Sequence, residues 1–155
     1  MPGRMRRVSV IGIGNPLMGD DGAGVAVLDL LAKKVPRGVE LLDLGTGGMT
    51  LLHKLEGLDL AIIVDAVDYG GRPGEIRIFE PDDVDTTKAV GVSLHDADIL
   101  KIIRLAKEMG KCPERLFIAA IQPASVSLTM ELSPAVKKKL PALANEILKI
   151  LKKQK

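Results

Sequence analysis

The apolar positions of this 155-residue chain fall into short runs separated by amphipathic segments. Residues 8–13 (VSVIGI) form a short apolar run that leads into glycines, the pattern of a buried strand. Residues 22–34 (GAGVAVLDLLAKK) place Val25, Leu28 and Leu31 at helical spacing with lysines in the last turn, and Pro36 and Gly38 close that helix. Residues 39–44 (VELLDL) predict a second strand, "GTGG" a loop, and residues 49–55 (MTLLHKL) a short helix. Residues 59–66 are apolar on both faces, as in a central parallel strand. After the turn-rich connector "DYGGRPG", residues 75–80 (EIRIFE) alternate polar and apolar, which predicts an edge strand. Residues 81–94 predict a loop of a length that more often serves function than not. Residues 96–109 predict a helix with Ile99, Ile102, Ile103, Ala106 and Met109 on one face, and residues 116–121 (LFIAAI) another buried strand. Ser133 and Pro134 supply the N-cap and first residue of a last helix, striped by Val136, Leu140, Leu143, Ile147 and Leu151 and kinked at Pro141.

Strands alternating with helices predict an α/β domain over residues 1–155: a three-layer sandwich with a mostly parallel five-stranded sheet, an antiparallel edge strand and helices on both faces. Sites in such sheets form beyond the carboxyl ends of the strands. Asn15, Asp20 and Asp21 follow the first strand, Asp43 and "GTGG" the second, and Asp65 and Asp68 stand at the third. His95 ends the long loop, and Gln122 follows the last strand.

Composition narrows the function classes. Hydrophobic residues at 46% exclude disorder. A balance of 22 basic against 20 acidic residues gives no pull toward nucleic acid or a membrane surface. The aromatics are Tyr69, Phe79 and Phe117, too few for stacking single-stranded bases. The start has no apolar signal core, and no run approaches the roughly 18 apolar residues of a spanning helix, so the expected location is the cytoplasm. Cys112 is the sole cysteine, which excludes an internal disulfide and a Cys-rich zinc site and leaves a catalytic cysteine the less favoured reading.

The stretch "SVIGIGNPLMGDDGAG" (9–24) opens like a nucleotide site but lacks its chemistry. The third glycine of G-x-G-x-x-G is out of place, no Walker pattern follows, and Asp20 and Asp21 would repel a pyrophosphate at the helix start. Singly, each polar residue has a plain reading: the two acids favour a helix N-terminus, Asp65 caps a turn, and His53 and His95 are incidental. Together, two carboxylates and the His95 imidazole at one sheet edge make an O,O,N set suited to a first-row divalent ion such as nickel or zinc. Three protein ligands leave coordination positions open, as a catalytic or recognition site requires.

Residues 12–24 (GIGNPLMGDDGAG), 41–49 (LLDLGTGGM), 62–68 (IIVDAVD), 93–100 (SLHDADIL) and 120–136 (AIQPASVSLTMELSPAV) follow one another as in a known family. In them the chain resembles the hydrogenase maturation endopeptidases, which process the large subunit of nickel–iron hydrogenases. The resemblance implies an endopeptidase that removes a C-terminal extension from the large-subunit precursor once nickel has been inserted, cutting just past the cysteine motif that holds the metal. It maps the nickel-contacting positions onto Asp21, Asp65 and His95, with Asp21 standing where the family often has Glu. It maps substrate recognition onto Gly45, Thr46, Gly47 and Gly48, with Asp43 just ahead as a weaker candidate.

On this reading nickel arrives with the substrate, and no tightly bound cofactor is expected. The partner is the precursor, with no nucleic acid and no membrane, and the protein is expected to be a monomer. Water activation by nickel and by a carboxylate base, as in an aspartic-type protease, both stay open. Asp21 is the favoured ligand of the acidic pair, and Asp20 is read as a helix cap. The alternatives are a non-catalytic nickel-binding assembly module, a nucleotide-binding regulator and a peptidyl-tRNA hydrolase-like enzyme. The last shares "GIGNP" but would need a basic surface and a histidine soon after it.

Overall fold

The structure, a computed structural model, describes residues 6–83 and 94–153, with side chains from residue 99 onward in the second stretch. β1 (Val8–Gly12), β2 (Val39–Asp43), β3 (Leu60–Ala66), β4 (Ile76–Phe79) and β5 (Arg115–Ile121) form one sheet in the order β2-β1-β3-β5-β4. β1 pairs parallel with β2 and β3, β3 pairs parallel with β5, and β4 runs antiparallel to β5 at the edge. The chain leaves β1 for β2 on one side and returns to β3 on the other, so the topological switch point lies between β1 and β3.

Alternation along the strands divides the core into two layers. Val10, Ile62 and Val64 pack with α1 (Ala23–Leu31) and α4 (Pro134–Lys152) through Val27, Leu31, Leu143 and Ile147. Ile11, Ile63 and Ile118 face the other way, onto α2 (Met49–Leu55) and α3 (Leu94–Glu108) through Leu51, Leu55, Ile103 and Ala106. Every residue of β3 is buried, which is why its sequence is apolar without alternation. This is the three-layer sandwich, with its antiparallel edge strand, that the periodicity predicts.

The departures are local. The predicted helix over 22–34 is a 3-10 turn over Gly19–Gly22 followed by α1, and Lys33 and Lys34 fall beyond its end. Its buried face is Ala23, Val27, Leu28 and Leu31, while Val25 is only half-buried, because the helix turns Gly24 toward the strands. α3 begins at Leu94 and ends before Met109, which is exposed. The predicted 81–94 loop opens with a 3-10 turn over Pro81–Asp83, and residues 84–93 lie outside the described residues.

Ser133 caps α4 as predicted, its hydroxyl oxygen accepting the Val136 N–H at 3.4 Å, and Pro134 follows. The helix runs through Pro141 without a break. Pro141 and Lys137, whose carbonyl loses its helical donor, are both exposed, so water can serve that carbonyl. Among the described residues no helix is long and apolar enough to cross a membrane.

Candidate functional site

The glycines of the opening stretch are explained by backbone proximity. A side chain on Gly14, at φ 145°, would put its Cβ 1.9 Å from the Asp21 carbonyl oxygen. One on Gly24 would put it 2.3 Å from the Val64 carbonyl oxygen and 2.6 Å from that of Ile13. Without those Cβ atoms the turn and the first residues of α1 lie directly on β3, and the Ile13 N–H reaches the Val64 carbonyl at 2.9 Å. The turn carrying the two acids is thereby pressed onto the switch point.

Asp20 and Asp21 diverge from there. Asp20 is 0% exposed. It accepts the N–H groups of Ala124 (2.8 Å), Ser125 (3.2 Å) and Ser133 (2.7 Å) and the Ser133 hydroxyl (2.7 Å). Burial pushes its carboxyl up, but these bonds, Ser133 first, outweigh burial and hold it below the usual range. The helix-cap reading of Asp20 is therefore corrected: neither the 3-10 turn nor α1 has a side-chain cap.

Asp20 instead latches the segment between β5 and α4 onto the turn after β1. Backbone bonds from Gly19 to Thr129 (2.7 Å), Thr129 to Leu17 (3.0 Å) and Asp20 to Ser125 (3.2 Å) complete that seam. No local signal marks this role, because the donors lie 104 to 113 residues away.

Asp21 is half-buried and faces the Asn15 turn, its Oδ2 accepting the Asn15 N–H at 2.9 Å. Its other oxygen accepts no hydrogen bond among the described residues. Asp65 stands one residue before the end of β3, opposite Ala120, and is 2% exposed. By strand alternation it shares the face of Ile63. It lines a cavity of about 370 Å³ that reaches from the sheet to the start of α3.

His95 falls in the first turn of α3, one turn before Ile99, which lines the same cavity; its side chain lies outside the described residues. The fold thus brings the Asp21 turn and Asp65 to adjacent strand ends, and places the first turn of α3 on the Asp65 face of the sheet. Among the described residues no three His, Cys, Asp or Glu side chains form a metal-sized cluster.

The remaining candidates sort by their hydrogen bonds. Asp43 is exposed and its Oδ1 accepts the Gly45 N–H at 2.9 Å, shaping the loop that follows. The Gly45 carbonyl accepts the Gly14 N–H at 2.6 Å, so the Gly45–Gly48 loop lies beside the Asp21 turn, with Thr46 exposed. Gln122 is buried; its carbonyl oxygen accepts the N–H groups of Tyr69 (3.0 Å) and Gly71 (3.1 Å), and its amide donates to Asp68 (3.0 Å) and the Pro123 carbonyl (3.3 Å). That bond from Gln122, followed by one from Gly70, holds the Asp68 carboxyl below its usual range. Burial pushes the half-buried Cys112 thiol up, the wrong direction for a thiolate nucleophile. His53 is exposed on α2.

The family model for hydrogenase maturation protease (HycI) matches residues 25–150. The chain belongs to the hydrogenase maturation protease family. The hydrogenase expression/formation protein HupD of Bradyrhizobium diazoefficiens is 38% identical over 120 residues, covering 76% of this chain and 62% of HupD. The hydrogenase 2 maturation protease of Escherichia coli K12 is 29% identical over 149 residues, 94% of this chain and 91% of that protein. This chain spans about three-fifths of the length of the HupD-type relatives it matches first. The solved structure of the E. coli hydrogenase maturating endopeptidase HybD superposes with a TM-score of 0.85 at 28% identity, covering 96% of this chain and 93% of that one. Within the family match lie Asp43, the Gly45–Gly48 loop, Asp65 and His95; Asp21 precedes it.

Proposed function

We propose that this family member is an endopeptidase that removes the C-terminal extension of a nickel-loaded hydrogenase large-subunit precursor, with Asp21, Asp65 and His95 reading the nickel. The observation that carries the reading is Asp65. A carboxylate 2% exposed in an otherwise apolar central strand, at the switch point and beside the Asp21 turn, is where an α/β sheet places a site. Nickel belongs to the substrate in this reading, and the protein holds no resident cofactor. Carboxylate oxygens from Asp21 and Asp65 and the His95 imidazole complete the coordination of nickel held by the precursor's cysteines. The nearby scissile peptide is then attacked by water activated through that nickel or through one of the carboxylates.

The Gly45–Gly48 loop, shaped by Asp43, receives the precursor beside the Asp21 turn. The protein acts as a monomer in the cytoplasm, where the precursor is matured. The test is cleavage of nickel-loaded precursor by Asp21→Asn, Asp65→Asn and His95→Ala, read as the mass lost with the C-terminal peptide. Each is expected to lower the rate at least roughly a hundredfold, the scale of a lost acid–base or polarising group. Full cleavage by any of the three contradicts that residue's assignment. Tight binding of the precursor without cleavage by the unaltered protein would make it an assembly module instead.

A further inference from the structure

Among the described residues, a half-open apolar pocket lies beside Asp65. A space of about 150 Å³ is already large enough to take up benzene. This one measures about 370 Å³. Its floor is Ile63 and Ile118 of the sheet, and Phe79, Ile99 and Leu100 form its sides.

Among the described residues around it, three polar groups are committed elsewhere. The Tyr69 hydroxyl donates to the Glu75 carbonyl at 2.7 Å. The Arg77 guanidinium stacks 4.2 Å from the Tyr69 ring centre and pairs with Glu75 at 3.6 Å. Asp83 turns its Oδ2 to the Glu80 N–H at 3.0 Å. What the described walls offer an occupant is mainly hydrocarbon, and the carboxylates of Asp65 and Asp83 disfavour an acid.

We propose that this cavity is the side-chain subsite of the peptidase, taking one large aliphatic side chain of the precursor within two residues of the bond that is cut. The inference rests on the proposed endopeptidase reading, since it is Asp65, shared by the cavity and the proposed nickel site, that ties the occupant to the cut. An aliphatic side chain on the precursor gives the cavity's walls the partner atoms they lack and fixes the peptide beside the reacting centre.

The experiment uses the full chain and nickel-loaded precursor. Each of the two residues on either side of the cut is replaced in turn by Leu, Ala, Asp and Lys, and kcat/KM for release of the extension is measured. One position is expected to prefer Leu over Ala by roughly 10-fold or more, the scale set by hydrophobic pockets, and over Asp and Lys by more. Leu100→Trp, which adds bulk to the cavity's wall, is expected to erase or invert the Leu-over-Ala preference at that same position. If the unaltered precursor is cleaved but all four side chains serve equally at every position, or Asp or Lys is preferred, the subsite is wrong and the peptidase reading stands. If the unaltered precursor is not cleaved, both fall together. Should Leu100→Trp fail to fold, the substrate series alone decides.

Discussion

Two adjacent aspartates do opposite work. Asp20 spends its carboxylate on four hydrogen bonds that hold the β5–α4 segment, while Asp21 accepts one among the described residues, from the Asn15 N–H. Asp20→Asn would set an amide N–H against those donors and is expected to cost about 3 kcal/mol, read from urea unfolding. A change below roughly 0.5 kcal/mol, the usual surface effect, would contradict the latch. The carboxyl is held below its ordinary 3.8, so its contribution is present above that value and is lost as pH falls through the folded value.

Tyr69 gives a second residue-level check, because it is the only tyrosine and the chain has no tryptophan. Burial, the Glu75 charge and the bond to the Glu75 carbonyl push its phenol up to about 12. Phenolate absorbance should therefore rise near 12, not near 10. The matching stability is present below 10 and is lost as pH climbs through about 12. Titration near 10 in the folded protein would contradict the hydrogen-bonded, half-buried hydroxyl. At this scale the sequence identifies the acids but not their division of labour. Asp65 stands out as a charge in an otherwise apolar strand, whereas Asp20 is recognisable only once donors far along the chain have been brought to it.

Among the elements, those whose pattern is decided locally are the most legible. The helix at 49–55 is found where its periodicity places it, and Ser133 and Pro134 start α4 as capping chemistry requires. The stretch after β1 is misread by its own propensity, because backbone contact with β3 decides its shape. Gly24→Ala tests this directly: its methyl would meet the Val64 and Ile13 carbonyls, and a loss of about 1–3 kcal/mol is expected in chemical unfolding. An unchanged midpoint would mean the turn does not lie against β3. In α4, Pro141→Ala restores a donor on an exposed face and is expected to raise stability, by up to about 3 kcal/mol. Unfolding at the same or lower denaturant would show that the helix depends on the proline.

The whole molecule follows from strand–helix alternation together with the run of apolar residues that puts β3 at the centre. Strand order also brings the Asp21 turn and Asp65 to neighbouring strand ends, at the switch point between β1 and β3. The cavity beside Asp65 is not legible in the sequence. Its walls come from three strands and a helix, and each of those apolar residues reads alone as ordinary core. Nor does any motif mark the seam between the β1 turn and the β5–α4 segment, which joins Leu17–Asp20 to Ser125–Thr129.

Asp21, Asp65 and His95 at this edge are proposed to read nickel carried by the substrate. The most direct measurement is the intact mass of the hydrogenase large subunit after incubation with this protein, once with nickel in the precursor and once without. Loss of the C-terminal peptide only from the nickel-loaded precursor is the predicted result. Equal loss from both forms would contradict the claim.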